Sequence, residues 1–196
     1  MIGDTAVTIC NGALILLGED TVPDASFPLA ASSKRARLLN ARYDPVRRAM
    51  LRRIKPKFAL VQVQITASTT APPFGWGSLF PLPADFLRLD DLEQEKFDAV
   101  GWKLIGTNVL TDDSGPINFQ YINDCQNPAQ FDSLFVSCHE LALAAEMAVP
   151  LTQSVNKRES LVADLEKLLP DARLAASQED SPETLDDDVW LRARNY

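Results

Sequence analysis

Apolar residues recur every three or four positions in four segments of the chain, which is the spacing that places side chains on one face of a helix. The four apolar stripes consist of Ala6, Ile9, Ala13 and Leu16; of Leu39, Tyr43, Val46, Met50 and Ile54; of Phe131, Leu134, Cys138, Leu141, Ala145 and Ala148; and of Leu161, Leu165, Leu168, Ala172 and Ala175. The pattern therefore predicts four amphipathic helices.

Residues that typically start, stop or bend helices accompany these stripes. Gly18 follows the first stripe, where it can end a helix in the left-handed conformation. Asn127 and Ser154 precede the third and fourth stripes and are predicted to cap those helices. Pro45 lies within the second stripe and lacks an amide hydrogen, so a kink or a break is expected near residues 41–44. The unbroken stripe favours the kink.

Between the second and third helices the pattern changes to alternation, which predicts strands. Residues 59–66 alternate apolar and polar side chains, whereas residues 67–83 contain four prolines and are predicted to form a long loop. Further short strands are predicted over residues 86–89, 102–105, 109–111 and 117–122. A turn at Gly106 indicates that two of them form a hairpin, so the segment is expected to be a small antiparallel sheet.

The predicted fold is therefore mainly α, with a four-helix bundle-like core and a small antiparallel β insertion between the second and third helices. Residues 1–58 and 123–178 are expected to form the helical core. Residues 59–122 are expected to form the β-rich insertion with its long proline-rich loop. Residues 179–196 are predicted to be an acidic C-terminal tail, called the acidic tail below.

The composition is that of an ordinary soluble protein, with a mean hydropathy of -0.09 and a net charge of -8. No apolar run approaches the roughly 18 residues needed to span a bilayer, and the first residues lack the pattern of a signal peptide. The chain is expected to remain in the cytoplasm, or to leave it only by cell lysis, without membrane insertion.

The charges are strongly separated along the sequence. Ten basic residues and one acid lie between Lys34 and Lys57, and six acids without a base lie between Glu179 and Asp188. Segments of opposite charge can complement each other within a chain or between copies. The basic helix has three interpretations: a solvated face, a face toward a neighbouring subunit, or a DNA-binding surface, although no aromatic residues interleave it for base stacking.

Few residues could carry catalysis. Cys10, Cys125 and Cys138 are scattered and His139 is the single histidine, so a zinc site is not expected. Cys138 and His139 are adjacent on a helix, so their side chains point about 100° apart and cannot act on one atom. The acids Asp85, Asp90, Asp91, Glu93 and Glu95 leave open a carboxylate pair for glycoside hydrolysis. The chain is predicted to be a non-enzyme without metal or cofactor.

The acidic tail carries an apolar group that a solvated segment does not need. The group consists of Leu185, Val189, Trp190 and Leu191. It either folds back onto the chain or inserts into a partner, because tryptophan dominates many interfaces.

Four stretches of the sequence carry a resemblance to a known family: NGALILLGEDTV at residues 11–22, ARLLNARYDPVRRAMLRRIKPKFA at 36–59, FPLPADFLRL at 80–89 and YINDCQNPAQFDSLFVSCHELALAAEMAVPL at 121–151. Together they resemble the tail tubular protein A family, the head–tail adaptors of short-tailed phages. Their order and spacing agree with the family across residues 11–151.

The resemblance implies a structural virion protein assembled in the host cytoplasm. Members of this family form a ring of twelve subunits that binds the portal, extends the channel through which double-stranded DNA passes, and receives the tail nozzle protein. On this basis we expect Arg47, Arg48, Arg52 and Arg53 to lie at the subunit interface. We expect Leu185, Val189, Trp190 and Leu191 to dock onto the portal.

Three other functions remain open. The first is a head-completion or neck protein of another type of tailed phage, which is usually smaller and lacks the LPADFLRL segment. The second is a virion-associated cell-wall hydrolase that uses the acids near Asp85. The third is a DNA-binding packaging factor, which would bind DNA with a steep dependence on salt.

Overall fold

The computed structural model describes residues 5–23, 25–92 and 101–178 of the chain. The four helices are α1 (Ala6–Leu17), α2 (Lys34–Ile54), α3 (Ser133–Thr152) and α4 (Val155–Gln178). The strands are β1 (Leu60–Ile65), β2 (Ser78–Pro81), β3 (Phe86–Leu92), β4 (Trp102–Ile105), β5 (Asn108–Thr111) and β6 (Ile117–Asn123). The predicted acidic tail lies outside the described residues.

The chain has a mixed α/β fold, 51% helical and 19% strand, so the prediction of a mainly α bundle with one small β insertion is wrong. The strands form two three-stranded antiparallel sheets, in the orders β1-β6-β3 and β2-β5-β4. The sequence pattern underestimated them because β2 lies inside the proline-rich segment that was predicted to be a loop. β2 nevertheless pairs along its whole length with β5, and this pairing creates the second sheet.

Local capping explains where the helices begin and end. The Thr5 side chain accepts a hydrogen bond from the Thr8 amide at the start of α1, and Gly18 ends that helix with a φ of 77°. α2 runs without interruption through Pro45, so of the two expectations at that residue the break is wrong. Asn127 caps only a short 3-10 turn, whereas Asp132 caps α3.

Two hydrophobic clusters hold the structure together. The larger one consists mainly of residues from the four helices, and it also contains Ile122 of β6. The smaller one is built by the sheets, from Phe80, Val109, Ile117, Phe119 and Tyr121. Because β6 contributes to both clusters, this strand connects the helical and sheet parts of the molecule.

α3 corrects an expectation about apolar runs. It is long and apolar enough to span a bilayer by length and composition alone, although 56% of the relevant window is buried within the structure. Its buried residues belong to the larger cluster, and α3 packs against α1, α2 and α4. A central core helix passes the same test, so this single segment is weak evidence for a membrane span.

Candidate functional site: a basic junction at the end of α2

The four arginines that were predicted to face a neighbouring subunit do not lie on one surface. Arg47 is buried with 1% of its surface exposed, whereas Arg48 and Arg52 are exposed and Arg53 is half-buried. This is the ordinary consequence of helical periodicity, because neighbouring residues point about 100° apart. The assignment of Arg47 to a subunit interface is therefore corrected, since its side chain is enclosed by its own chain.

Asp124, which follows β6, holds Arg47 in place. One carboxylate oxygen of Asp124 accepts a hydrogen bond from Arg47 Nη1 at 2.7 Å, and the other accepts one from Arg48 Nε at 3.0 Å. Arg47 Nη1 also donates to the Cys125 carbonyl at 2.5 Å, and Arg47 forms an ion pair with Asp44 on its own helix. Such charge-assisted bonds offset the cost of removing the guanidinium from water, so Arg47 fastens α2 to the segment after β6.

Two arginines from other elements bind backbone carbonyls at the C-terminal end of α2. Arg88 of β3 donates a hydrogen bond to the Arg52 carbonyl at 2.8 Å, and Arg173 of α4 donates to the Arg53 carbonyl at 3.0 Å. The last carbonyls of a helix lack partners within the helix and carry partial negative charge. Cations at this end therefore stabilise α2 and bring β3 and α4 together there.

These contacts surround an open cavity of about 460 Å³, which we call the basic cleft. Its lining includes five cationic side chains, Arg53, Lys55, Lys57, Arg88 and Arg173, and one carboxylate, Asp90. Asp90 forms an ion pair with Lys55 at 2.5 Å. Arg53 forms one with Glu166 of α4 at 2.9 Å. Cationic side chains therefore predominate in the described lining, so the basic cleft favours an anionic ligand.

The cysteine and histidine side chains do not form a nucleophilic site in the described chain. Cys10, Cys138 and His139 are fully buried in the helical core. Burial raises the pKa of the Cys10 thiol to about 12 and that of Cys138 to about 11, so neither is a thiolate near neutral pH. Without solvent access or a thiolate, these residues have a structural role.

His139 is an unusual core residue because neither ring nitrogen has a hydrogen-bond partner among the described residues. Its ring packs against Tyr43, with 4.8 Å between the ring centroids. Burial lowers the pKa of His139 to about 4, and the nearby Tyr43 backbone opposes this shift without reaching hydrogen-bond geometry. The ring is therefore neutral at physiological pH.

The acids considered for hydrolysis do not form a described carboxylate pair. Asp85 accepts a hydrogen bond from the Tyr121 hydroxyl at 3.0 Å, and Asp90 pairs with Lys55 in the basic cleft. Burial, together with this hydrogen bond to Asp85, raises the pKa of Tyr121 to about 12. The side chains of Asp91, Glu93 and Glu95 lie outside the described part of the chain. Within that part, no group of three metal-ligating side chains occurs.

Sequence reasoning identified the basic helix but missed the residues that organise its end. Arg88 and Asp124 lie within or next to predicted strands, and Arg173 lies on the fourth helix. None of them is close to α2 in sequence, so only the pairing of β3 with β6 and the packing of α4 bring them together. The predicted docking residues Leu185, Val189, Trp190 and Leu191 lie outside the described residues.

Comparison with known proteins adds no assignment: no protein-family model matches the chain, and no curated protein matches it.

Proposed function

We propose that the chain is a structural subunit of a ring-shaped head–tail adaptor, which binds the portal of a short-tailed phage, extends its DNA channel and receives the tail nozzle. The proposal starts from the resemblance of four stretches over residues 11–151. It describes a protein that acts by assembly in the virion, not by catalysis.

The observation that carries the proposal is the exposed apolar strand β4 at one edge of the second sheet. All four of its residues are exposed, and Trp102, Leu104 and Ile105 expose 39%, 40% and 48% of their surface. An outer strand also presents unpaired backbone groups, which pair readily with another chain. Apolar exposure on both faces of an edge strand is typical of a surface that becomes covered on association.

β4 and the basic helix α2 border a common groove on the surface. Leu104 and Arg52 line the same open groove, which has a volume of about 720 Å³. The exposed side of α2 adds Arg48 and Arg52, whereas Arg47 is enclosed. The lateral contact with a second copy is therefore proposed to combine the apolar β4 residues with the exposed arginines of α2, as head-to-tail rings require two different complementary faces.

The proposal is tested by the assembly state of the purified chain, alone and with its cognate portal. The native chain is expected to form closed rings of twelve subunits in electron micrographs and in analytical ultracentrifugation. The double variant Leu104→Lys/Ile105→Lys is expected to remain monomeric with unchanged circular dichroism, because both side chains are already exposed in the monomer. The variant Arg48→Glu/Arg52→Glu is expected to weaken the rings in a salt-dependent manner.

Matched control variants lie on α4. Val155→Lys/Leu174→Lys changes two exposed apolar residues, and Lys157→Glu/Arg158→Glu reverses two exposed charges. Both controls are expected to assemble like the native chain. A native chain that is monomeric at every concentration and forms no ring with the portal would contradict the proposed function.

A further inference from the structure

The basic cleft lies where α4 ends. Ala176 and Ser177, in the last turn of that helix, line the cleft beside Arg53, Arg88 and Arg173. The sequence then continues with the six acids between Glu179 and Asp188, without an intervening base. The most acidic segment of the sequence therefore begins two residues after Ser177, which lines the basic cleft.

We propose that the basic cleft is a polyanion-binding site and that its resident occupant is the acidic segment 179–188 of the same chain. The proposal concerns contacts within one subunit and is independent of the proposed adaptor function. An external polyanion, such as a phosphate chain, would then have to displace this segment in order to bind.

The described geometry gives the cleft capacity for several carboxylates. The described contacts of Arg88 and Arg173 with the backbone of α2 each engage one of the five N–H donors of a guanidinium. A guanidinium can therefore hold a backbone carbonyl and still bind a carboxylate through its remaining donors. Lys55 and Lys57 add further positive charge at the same cavity.

The short connection favours the segment of the same chain over a free ligand. A tethered group experiences an effective concentration on the order of millimolar for a short linker. In the sequence only Gln178 separates Glu179 from Ser177, which lines the cleft, so the acidic segment needs no long linker to reach it. Several weak ion pairs in one cavity then act together, and salt weakens all of them.

The experiment measures how tightly the full-length chain binds inorganic tripolyphosphate, by calorimetry at low salt. In the variant Glu179→Gln/Asp180→Asn/Glu183→Gln the affinity is expected to rise at least about five-fold, because the competing carboxylates are gone. The control Asp20→Asn/Glu159→Gln/Asp164→Asn removes the same number of charges from exposed positions outside the cleft. Its affinity is expected to change less than about two-fold, through net charge alone.

Two further measurements locate the site. Lys55→Gln/Lys57→Gln is expected to weaken tripolyphosphate binding, with circular dichroism to verify the fold, and high salt is expected to weaken it in every folded variant. The affinity of the native chain is expected to be independent of protein concentration, because the occupant belongs to the same chain.

Three results would overturn the proposal. An equal rise in tripolyphosphate affinity in Glu179→Gln/Asp180→Asn/Glu183→Gln and in the control variant would show a general charge effect. An absence of tripolyphosphate binding in all variants would show that the cleft is not an anion site. An affinity of the native chain that rises on ten-fold dilution would assign the occupant to a neighbouring copy.

Discussion

Arg47 and Arg48 are adjacent in the sequence and bind the same carboxylate, yet their surroundings make them different residues. Arg47 bridges Asp124, Asp44 and the Cys125 carbonyl from a buried position, whereas Arg48 binds Asp124 from a half-exposed one. A sequence pattern reports the type and spacing of the charges. It does not report which charge the tertiary fold will enclose.

The first prediction compares these two arginines. Arg47→Met is expected to lower the free energy of unfolding by roughly 3 kcal/mol, because it leaves Asp124 and the Cys125 carbonyl without their buried partner. Arg48→Met is expected to cost less than about 1 kcal/mol, because solvent screens an exposed ion pair. Urea unfolding of both variants measures the difference. Equal losses would contradict the structural role of Arg47.

The second prediction concerns the pH dependence of stability through His139. Its folded pKa of about 4 lies below the ordinary value of 6.5, so the unfolded chain binds the extra proton between these values. The stability associated with the neutral ring is therefore complete above pH 6.5 and falls by roughly 3 kcal/mol as the pH decreases to about 4. Urea unfolding across this range measures the loss.

The control for this prediction is His139→Leu, which removes both unpaired ring nitrogens from the core. Between pH 6.5 and 4 the free energy of unfolding of this variant is expected to fall by about 3 kcal/mol less than that of the native chain. The titratable or charged groups near His139 are Tyr43 and Arg47 of α2, and Cys10 of α1 interacts with Tyr43. Burial raises the pKa values of Tyr43 and Cys10, so neither titrates in that range. Identical pH profiles of the native chain and the variant would contradict the assignment.

At the scale of elements, the accuracy of the sequence-based prediction depended on how strong each local pattern was. The four helices were predicted because their apolar stripes persist over three turns or more, and Ser154 caps α4 as expected. β2 was missed because Ser78–Pro81 is four residues long and lies among prolines. Its pairing with β5 comes from a tertiary contact, for which a single short stretch of sequence gives no signal.

The third prediction tests the packing of α1 against α3 at Gly12. A Cβ at this position would lie 2.1 Å from Glu140 Oε1, so the Glu140 side chain would have to move. Gly12→Ala is expected to change the free energy of unfolding by less than about 1 kcal/mol, because displacing the flexible end of the Glu140 side chain offsets the roughly 1 kcal/mol by which alanine favours a helix over glycine. In a Glu140→Ala background the same substitution should stabilise by up to about 1 kcal/mol. A double-mutant cycle measures this coupling, and additive effects would contradict it.

At the scale of the molecule, the candidate site could be predicted only in part. The density of cations near Ile54 was evident from the sequence, as was the acidic segment that begins at Glu179. The basic cleft was not, because Arg53, Arg88 and Arg173 come from three elements separated by long stretches of chain. Tertiary packing converts a basic helix into a cavity, and local periodicity contains no information about that packing.

The last prediction concerns cooperativity between the helical and sheet parts. β6 contributes Ile122 to the larger cluster and Ile117, Phe119 and Tyr121 to the smaller one. Phe80 is fully buried in the smaller cluster, so Phe80→Ala is expected to cost roughly 3–4 kcal/mol. Because β6 joins the clusters, we expect this loss to shift the unfolding midpoints of the helices and of the sheets by the same amount.

Two spectroscopic signals distinguish the parts in this experiment. The described helices contain no tryptophan, whereas Trp76 and Trp102 belong to the sheet region. In a Trp190→Phe background, tryptophan fluorescence therefore reports on the sheets and circular dichroism at 222 nm reports mainly on the helices. Both midpoints should shift equally in Phe80→Ala and remain unchanged in Phe74→Ala, whose side chain is exposed. Separate midpoints would show that β6 does not couple the two parts.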